Sequence, residues 1–323
     1  MKYLITGGCG FIGSNFGDMV LSTDHTAEVT NIDIRTAISN SFLAGKYLED
    51  KRYLEFNDNV CNQEWHNIVQ QPDVVIHFAA ESHVDKSLTD LDTFISSNIQ
   101  GTASVAKYCI KHDVPLIFVS TDEVYGELRA IDAPFKETDP VNPRNPYSAT
   151  KASAEFLVRS LGNANPQFRY LITRCSNNFG PWQDGSKLIP VCINRILDGK
   201  KIPIYGEGAQ IRDWIHVKDH CQAISDLVIP VIAGQRFNGS IFNVGADNEL
   251  TNLELVKKIC EVMEVDPNET ISFVPDPRNN AHDFRYAIDS SKLSVNTYWK
   301  PLNTHPFDES LRNTIEWYRN IRR

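Results

Sequence analysis

Leu4-Ile5-Thr6-Gly7-Gly8-Cys9-Gly10-Phe11-Ile12-Gly13-Ser14-Asn15 stands near the start of the chain, between a strand-like run and a segment of helical period. Its glycines admit two spacings, Gly8-x-Gly10-x-x-Gly13 and Gly7-x-x-Gly10-x-x-Gly13. Both put glycine where a strand turns into a helix, so the backbone can approach a pyrophosphate while the helix N-terminus offers free N–H groups and partial positive charge. Asp33 ends the next strand-like run, twenty residues after Gly13. A carboxylate there accepts hydrogen bonds from an adenosine ribose and repels a 2′-phosphate, which favours NAD over NADP. Arg35 stands close by and tempers that preference. Cys9 reads as a small filler in a crowded loop.

The rest of the chain supplies the context this loop needs. Lys2–Thr6, Glu28–Asp33, Asp73–Phe78, Pro115–Ser120 and Arg169–Arg174 read as buried strands, with helical segments at Ile12–Leu21, Leu91–Lys111 and Tyr147–Leu161. The alternation predicts an α/β fold, a Rossmann-type doubly wound parallel sheet with helices on both faces and right-handed crossovers. After about residue 176, Pro, Gly and Asn punctuate shorter elements, with helical stretches at Leu188–Leu197, His220–Ala233, Asn252–Val262 and Pro306–Tyr318. This predicts a smaller mixed C-terminal substrate domain: 1–178 and 211–245 form the dinucleotide domain, 179–210 and 246–323 the other.

Bulk properties narrow the function classes. The chain of 323 residues is 41% hydrophobic and 23% charged, ordinary for a globular protein. A formal net charge of -9 argues against broad contact with nucleic acid or an anionic membrane. Seven scattered cysteines without a C-x-x-C pair fit a reduced compartment, with neither a disulfide frame nor a zinc site. Met1 leads straight into the first strand and no apolar run is long enough to span a bilayer, so a soluble cytoplasmic protein is expected. His216 and His220, four apart on a possible helix, lack a third ligand and read as structural; no metal site is expected.

The chemistry-bearing residues come next. Tyr147 and Lys151 in Tyr147-Ser148-Ala149-Thr150-Lys151 share a helix face. A phenol ionises near pH ~10, and a neighbouring ammonium can bring it into the range of a general base. Upstream, Ser120-Thr121-Asp122-Glu123-Val124-Tyr125-Gly126 leaves a strand at the C-terminal edge of the sheet, where such folds bind ligands. Adjacent carboxyls there can be driven apart in pKa by burial and mutual repulsion, giving one acid and one base.

With Gly7, Gly10, Gly13, Tyr147 and Lys151, the chain resembles the extended short-chain dehydrogenase/reductase superfamily, and this favours the Gly7-x-x-Gly10-x-x-Gly13 spacing. Within it the chain is similar to the nucleoside-diphosphate-glucose 4,6-dehydratases. The likeness runs through His77-Phe78-Ala79-Ala80-Glu81-Ser82-His83-Val84-Asp85, Ser120 to Gly126, Tyr147 to Lys151 and Thr173-Arg174-Cys175-Ser176-Asn177-Asn178. It continues through Lys187-Leu188-Ile189-Pro190, Arg212-Asp213-Trp214, Asn248-Glu249-Leu250-Thr251-Asn252 and Arg285-Tyr286-Ala287-Ile288-Asp289.

The resemblance implies an NAD-dependent lyase that oxidises C4 of dTDP-glucose or UDP-glucose, eliminates water across C5 and C6, and returns the hydride to C6. Tyr147 would take the C4 hydroxyl proton with help from Thr121 and Lys151, Glu123 the C5 proton, and protonated Asp122 would donate to the departing C6 hydroxyl. It implies cofactor contacts at Gly7, Gly10, Phe11, Ile12, Gly13, Asp33, Asn59, Val60, Phe78, Ala79, Ala80, Asn98, Ser120, Tyr147 and Lys151. Substrate contacts would be Ser82, His83, Asn177, Lys187, Leu188, Tyr205, Arg212, Asn248 and Tyr286, with Arg212 the main phosphate ligand. A homodimer through Leu91–Lys111 and Tyr147–Leu161 is implied too. A 4-epimerase or decarboxylase of the same fold and a non-catalytic dinucleotide sensor are the alternatives.

Departures from the family pattern cluster on the ligand-holding turns. Ile34-Arg35-Thr36-Ala37 replaces a Lys-Leu-Thr-Tyr type run, and Asn59 replaces an aspartate at the adenine contact. Gln183-Asp184-Gly185-Ser186-Lys187 replaces Gln-Phe-Pro-Glu-Lys. Asp276-Pro277-Arg278-Asn279-Asn280-Ala281-His282 replaces a shorter Asp-Arg-Pro-Gly-His turn. The thymidine-versus-uridine choice is left open by these changes.

Overall fold

Apolar side chains that alternate between two faces decide the architecture. The computed structural model describes residues 1–62, 64–67, 70–234, 237–276, 283–301 and 306–322. The elements begin with β1 (Lys2–Thr6), α1 (Phe11–Thr23), β2 (Glu28–Asp33), α2 (Phe42–Lys46), β3 (Tyr53–Asn57), β4 (Val74–His77), α3 (Val84–Ser87), α4 (Leu91–Phe94), α5 (Gly101–His112), β5 (Leu116–Thr121), α6 (Pro146–Ala164) and β6 (Tyr170–Cys175). Then come β7 (Asn177–Phe179), α7 (Leu188–Leu197), β8 (Ile202–Tyr205), β9 (Ile211–His216), α8 (Val217–Ala233), β10 (Ile241–Val244), β11 (Glu249–Thr251), α9 (Asn252–Val262), α10 (Pro267–Thr270), β12 (Ile271–Val274), β13 (Arg285–Tyr286), α11 (Ser291–Asn296) and α12 (Phe307–Ile321).

Tyr3, Ile5, Val74, Ile76, Ile117, Val119 and Leu171 enter one buried cluster, and Leu4, Val75, Leu116, Phe118, Tyr170 and Ile172 enter another. Each strand is therefore buried on both faces, the condition for a parallel sheet covered by helices. Helices α1 and α8 close the first face through Phe16, Val20, Ile224 and Leu227. Helices α5 and α6 close the second through Val105, Tyr108, Ala154 and Val158. The seven strands are all parallel, in the order β10-β6-β5-β4-β1-β2-β3. Strand order reverses between β1 and β4, so their carboxyl ends frame the crevice in which such sheets take ligands.

The smaller unit is a set of short strands around β9, which pairs with β7, β11 and β13, beside a β8–β12 pair. Helices α7, α9 and α12 cover it with Ile189, Ile193, Leu255, Ile259, Leu311 and Ile315. The sequence division assigned 211–245 and residues up to 178 to the larger unit. The pairing places β7 and β9 in the small sheet and leaves α8 and β10 in the large one. The physical reason is that β9 faces both cores: Trp214 packs in the small one and Ile215 in the large one.

Two further expectations change. Leu91–Lys111 is not one α-helix, because a π-helical segment, Ile95–Gln100, separates α4 from α5. Inside it the buried Asn98 amide donates to Glu81 O at 3.0 Å and Thr150 Oγ1 at 2.9 Å, and accepts from Glu81 N at 2.8 Å. Such local widening commonly serves an inward-facing polar group near a site. His216 ends β9 rather than lying on α8 with His220, so the two do not share a helix face. Among the described residues no group of three or more His, Cys, Asp or Glu is placed to hold a metal, and no helix is long and apolar enough to cross a membrane.

Candidate active site

At the end of β1 the chain bends through Gly7, whose φ of +75° and close approach to Ala79 exclude a side chain: a Cβ would lie 2.6 Å from Ala79 N. A Cβ on Gly13 would strike the Gly7 carbonyl, and one on Gly8 would strike the Asn31 amide. Gly7, Gly8 and Gly13 are thus excluded from carrying a side chain for different reasons, while a Cβ on Gly10 would come to 3.1 Å from the Gly7 carbonyl oxygen. Gly7, Gly10 and Gly13 line a cavity of about 270 Å³ together with Phe11, Ile12, Phe78 and Ala80. Gly8 instead backs onto β2, donating to Asn31 Oδ1 at 2.8 Å. Helix α1 starts at Gly10 with no side-chain cap, leaving its first N–H groups for a ligand. Asp33 accepts from Cys9 N at 2.9 Å and from Arg35 N at 2.8 Å, which fixes its carboxylate beside the loop. The Arg35 guanidinium pairs with Glu55.

The same cavity continues over the ends of β5 and α6. Thr121 closes β5, and its Oγ1 donates to Asp122 Oδ1 at 3.3 Å and accepts from Glu123 N at 3.3 Å. Asp122 and Glu123 begin a 3-10 turn, Asp122–Tyr125. Asp122 is buried and its Oδ2 has no hydrogen-bond partner. Burial, then the charge of Glu123 and of Asp213, holds its carboxyl well above the usual range. Glu123 is also raised by burial, while a hydrogen bond from Asn145 and the charges of Arg212 and Lys187 act against this. Both carboxyls are thus raised, and neighbouring carboxyls in such a setting can part so that one holds its proton while the other ionises.

Tyr147 and Lys151 lie on the inner face of α6, both buried. The expectation that Lys151 lowers the Tyr147 phenol is not what the contacts give. Lys151 Nζ donates to Val119 O at 2.8 Å and sits 4.3 Å from the Phe118 ring centroid. Burial, followed by the charge of Glu123, raises Tyr147 well above the ordinary phenol value, with a hydrogen bond to Thr121 opposing it. Burial also pulls Lys151 down to about 8.

Beyond Glu123 a second cavity, about 340 Å³, opens between the two units. Ser82, His83, Asn177, Lys187, Leu188, Tyr205, Arg212 and Tyr286 all line it. Ser82, His83, Glu123, Asn177 and Lys187 also line the first cavity, so the spaces join at Glu123. Arg212 is packed 4.4 Å from the Tyr286 ring centroid and donates to Ile211 O at 2.7 Å and Asp283 O at 2.9 Å. His83 Nε2 stands 3.7 Å from Asp184, joining the loop before α7 to the start of α3.

Some expected contacts lie off the linings. Asn59 turns its Oδ1 to Cys61 N at 2.9 Å, and Val60 is buried in the core beneath Gly101. Ala79 supports the glycine loop from below. Asn98 acts within the π-helical segment, and Asn248 donates its backbone N–H to Asp213 Oδ1 at 2.8 Å. Within the run 276–282, residues 277–282 fall outside the described residues.

The profile of the NAD dependent epimerase/dehydratase family matches residues 3–245. The chain belongs to this family. It is 40% identical over 320 residues to the low-salt glycan biosynthesis protein Agl12 of Haloferax volcanii, covering 98% of each chain. It is also 40% identical over 322 residues to a dTDP-glucose 4,6-dehydratase of Mycolicibacterium smegmatis, covering 99% of this chain and 93% of the relative. The dTDP-glucose 4,6-dehydratase DesIV double mutant of Streptomyces venezuelae, solved with NAD bound, superposes with a TM-score of 0.92 at 32% identity over 100% of this chain and 98% of its own.

For an epimerase/dehydratase family member the observed cradle fits a dinucleotide. Gly7 and Gly13, where a Cβ would strike backbone, line it, a helix N-terminus lies open, and the buried Ser120 Oγ at its wall has no hydrogen-bond partner. Sequence reasoning missed several residues of the linings: Ile38, Val119, Cys175, Ser176, Asn178 and Trp182, whereas Gln183 and Asp184 lie in a run it had marked as ligand-holding. Cys175, Ser176 and Asn178 fell inside a quoted motif. Trp182 gave no sequence signal, being placed by stacking on Phe42 at 4.7 Å, far away in the chain. Asn145 was missed as well, although Asn-Pro before a helical run is a cap signature.

Proposed function

We propose that this family member is an NAD-dependent sugar-nucleotide 4,6-dehydratase, a hydro-lyase converting dTDP-glucose or UDP-glucose to the 4-keto-6-deoxy sugar nucleotide and water. The observation that carries the reading is the adjacent pair Asp122 and Glu123, Asp122 buried in the wall of the first cavity and Glu123 half-buried where the two cavities meet. Epimerisation at C4 has no use for such a pair; elimination across C5 and C6 needs both members. When bound, NAD supplies the hydride acceptor for C4 and the donor for C6.

The protein's own groups move the protons. Tyr147 takes the proton of the C4 hydroxyl while Thr121 hydrogen-bonds near that oxygen. Burial opposes phenolate, and the hydrogen bond with Thr121 works against that burial; Lys151, one helical turn away, lines the same cavity. The 4-ketone acidifies C5, whose proton passes to the Glu123 carboxylate. Asp122, kept protonated by burial, gives its proton to the C6 hydroxyl, which leaves as water. Glu123 then returns a proton to C5. Lys187 and Arg212 are the cations of the second cavity suited to a diphosphate.

The names of the relatives favour the thymidine nucleotide of the two. A homodimer would cover the exposed Leu88, Leu91, Ile95 and Phe156 on the α3 to α6 side. The reading is tested by incubating the protein with dTDP-glucose and UDP-glucose in heavy water. Loss of one water with one deuterium at C5 supports it; an isomer of unchanged mass gives the epimerase instead, and no turnover of either sugar overturns it.

A further inference from the structure

Two elements carry the groups assigned to proton transfer, and one side chain holds them together. Asn145 is the N-cap of α6: its Oδ1 accepts from Ser148 N at 2.8 Å, and its own N–H donates to Ser148 Oγ at 3.3 Å. With Pro146 at the first helical position this is a complete reciprocal cap. The other end of the same amide leaves the helix. Asn145 Nδ2 donates to Glu123 Oε2 at 3.2 Å, across to the turn that follows β5. Asn145 is only 5% exposed and lines the second cavity beside Glu123.

The residue type matters. A cap needs an acceptor for the helix N–H groups, which Ser, Thr, Asp and Asn all provide. Gripping a carboxylate needs a donor as well. An ionised Asp has none, and a Ser hydroxyl reaches less far, whereas an Asn amide presents both ends at once. Glu123 is otherwise held at its backbone, through Thr121 Oγ1, so Asn145 is what fixes the carboxylate itself. The helix that Asn145 starts carries Tyr147 two residues on and Lys151 one turn further.

We propose that Asn145 is a positioning residue, whose amide locks the Glu123 carboxylate to the helix bearing Tyr147 so that C4 and C5 are deprotonated from one rigid frame. This rests on the dehydratase reading. A donor on the carboxylate favours its ionised form, so the amide also keeps Glu123 available as a base in a site where burial works against it. Losing it frees the rotors of the Glu side chain at the moment when its placement decides the rate.

The test compares N145S and N145D with the unaltered protein in the full chain, with Glu123→Gln as the spectroscopic reference. Both variants keep a cap, so their melting midpoints stay with the parent, while N145A shows the effect of losing the cap. Infrared titration of the Glu123 carboxyl, which needs no substrate, moves to higher pH in N145S and further in N145D, where a second carboxyl faces it. With a nucleoside-diphosphate glucose, kcat falls roughly ten- to hundredfold, the worth of one hydrogen bond to a charged group. KM stays near the parent value, the acid limb of the kcat profile moves to higher pH, and deuterium entry at C5 slows in step. A Glu123 titration and a kcat in N145S equal to the parent's overturn the proposal and leave Asn145 a helix cap alone. Should the unaltered protein turn over neither sugar, the dehydratase reading falls, and the infrared titration still decides whether Asn145 holds Glu123.

Discussion

The two cavities share Glu123 and Lys187, yet they are assembled by different means. The cofactor side is made largely by backbone at the ends of neighbouring parallel strands. Gly7 rests on Ala79, Gly8 on Asn31, and Asp33 is held by the N–H groups of Cys9 and Arg35. The substrate side is made by side chains from segments far apart in sequence. Arg212 reaches the Asp283 carbonyl, the Tyr286 hydroxyl donates to Asp283, Arg285 pairs with Glu249, and Arg144 approaches Asp283 at 3.3 Å. Backbone cradles depend on local turns and tolerate no added atom; side-chain cradles depend on ion pairs and can be retuned without disturbing the sheet.

Substitutions should break the two sides separately. The largest effect is expected from Glu123→Gln, at the junction: kcat falls by roughly 10²–10⁴, the usual worth of a general base, while dinucleotide affinity by fluorescence titration stays unchanged. Gly7→Ala should damage the cofactor side alone. Its Cβ would meet Ala79 N at 2.6 Å with φ at +75°, and strain of this kind costs about 1–3 kcal/mol. Urea midpoints report the loss, and dinucleotide affinity falls with it.

Asp122→Asn should separate stability from activity. An unfolded Asp titrates near pH ~4, and burial raises the folded value well above that. The folded state therefore keeps a proton that the unfolded state releases. The contribution is fully present below pH ~4 and is lost as pH rises through the folded value. The Asn variant lacks that decline, so its urea midpoint exceeds the parent's increasingly toward alkaline pH, while dehydration is lost. The smallest effect is expected from Glu55→Gln. It releases Arg35 from its ion pair beside Asp33, and affinity for adenosine 2′,5′-bisphosphate rises roughly three- to fivefold by calorimetry, the scale of a partly exposed ion pair.

The comparison also shows what the sequence made legible. Glycine spacing, the strand–helix alternation and the Tyr147–Lys151 period are local patterns, and the seven-stranded sheet follows from them. The acid pair was legible because Asp122 and Glu123 are adjacent and leave a strand end. What remained hidden depends on contacts across long chain separations. The two faces of β9 serve two cores, the Asn98 amide widens a helix to reach Glu81 and Thr150, and Arg174 is buried on Glu155 at 2.6 Å. Lys151 is the instructive case: its helical spacing from Tyr147 is as expected, but its ammonium rests on the Val119 carbonyl, because a buried ammonium takes the nearest strong acceptor.

The most direct measurement follows one atom. Nucleoside-diphosphate glucose labelled with deuterium at C4 is converted in ordinary water, and the label is located in the product by nuclear magnetic resonance. Dehydration at this site moves the deuterium from C4 to the C6 methyl within the same sugar. Deuterium found again at C4 in a sugar of unchanged mass, or absent from C6 in the 4-keto product, contradicts it.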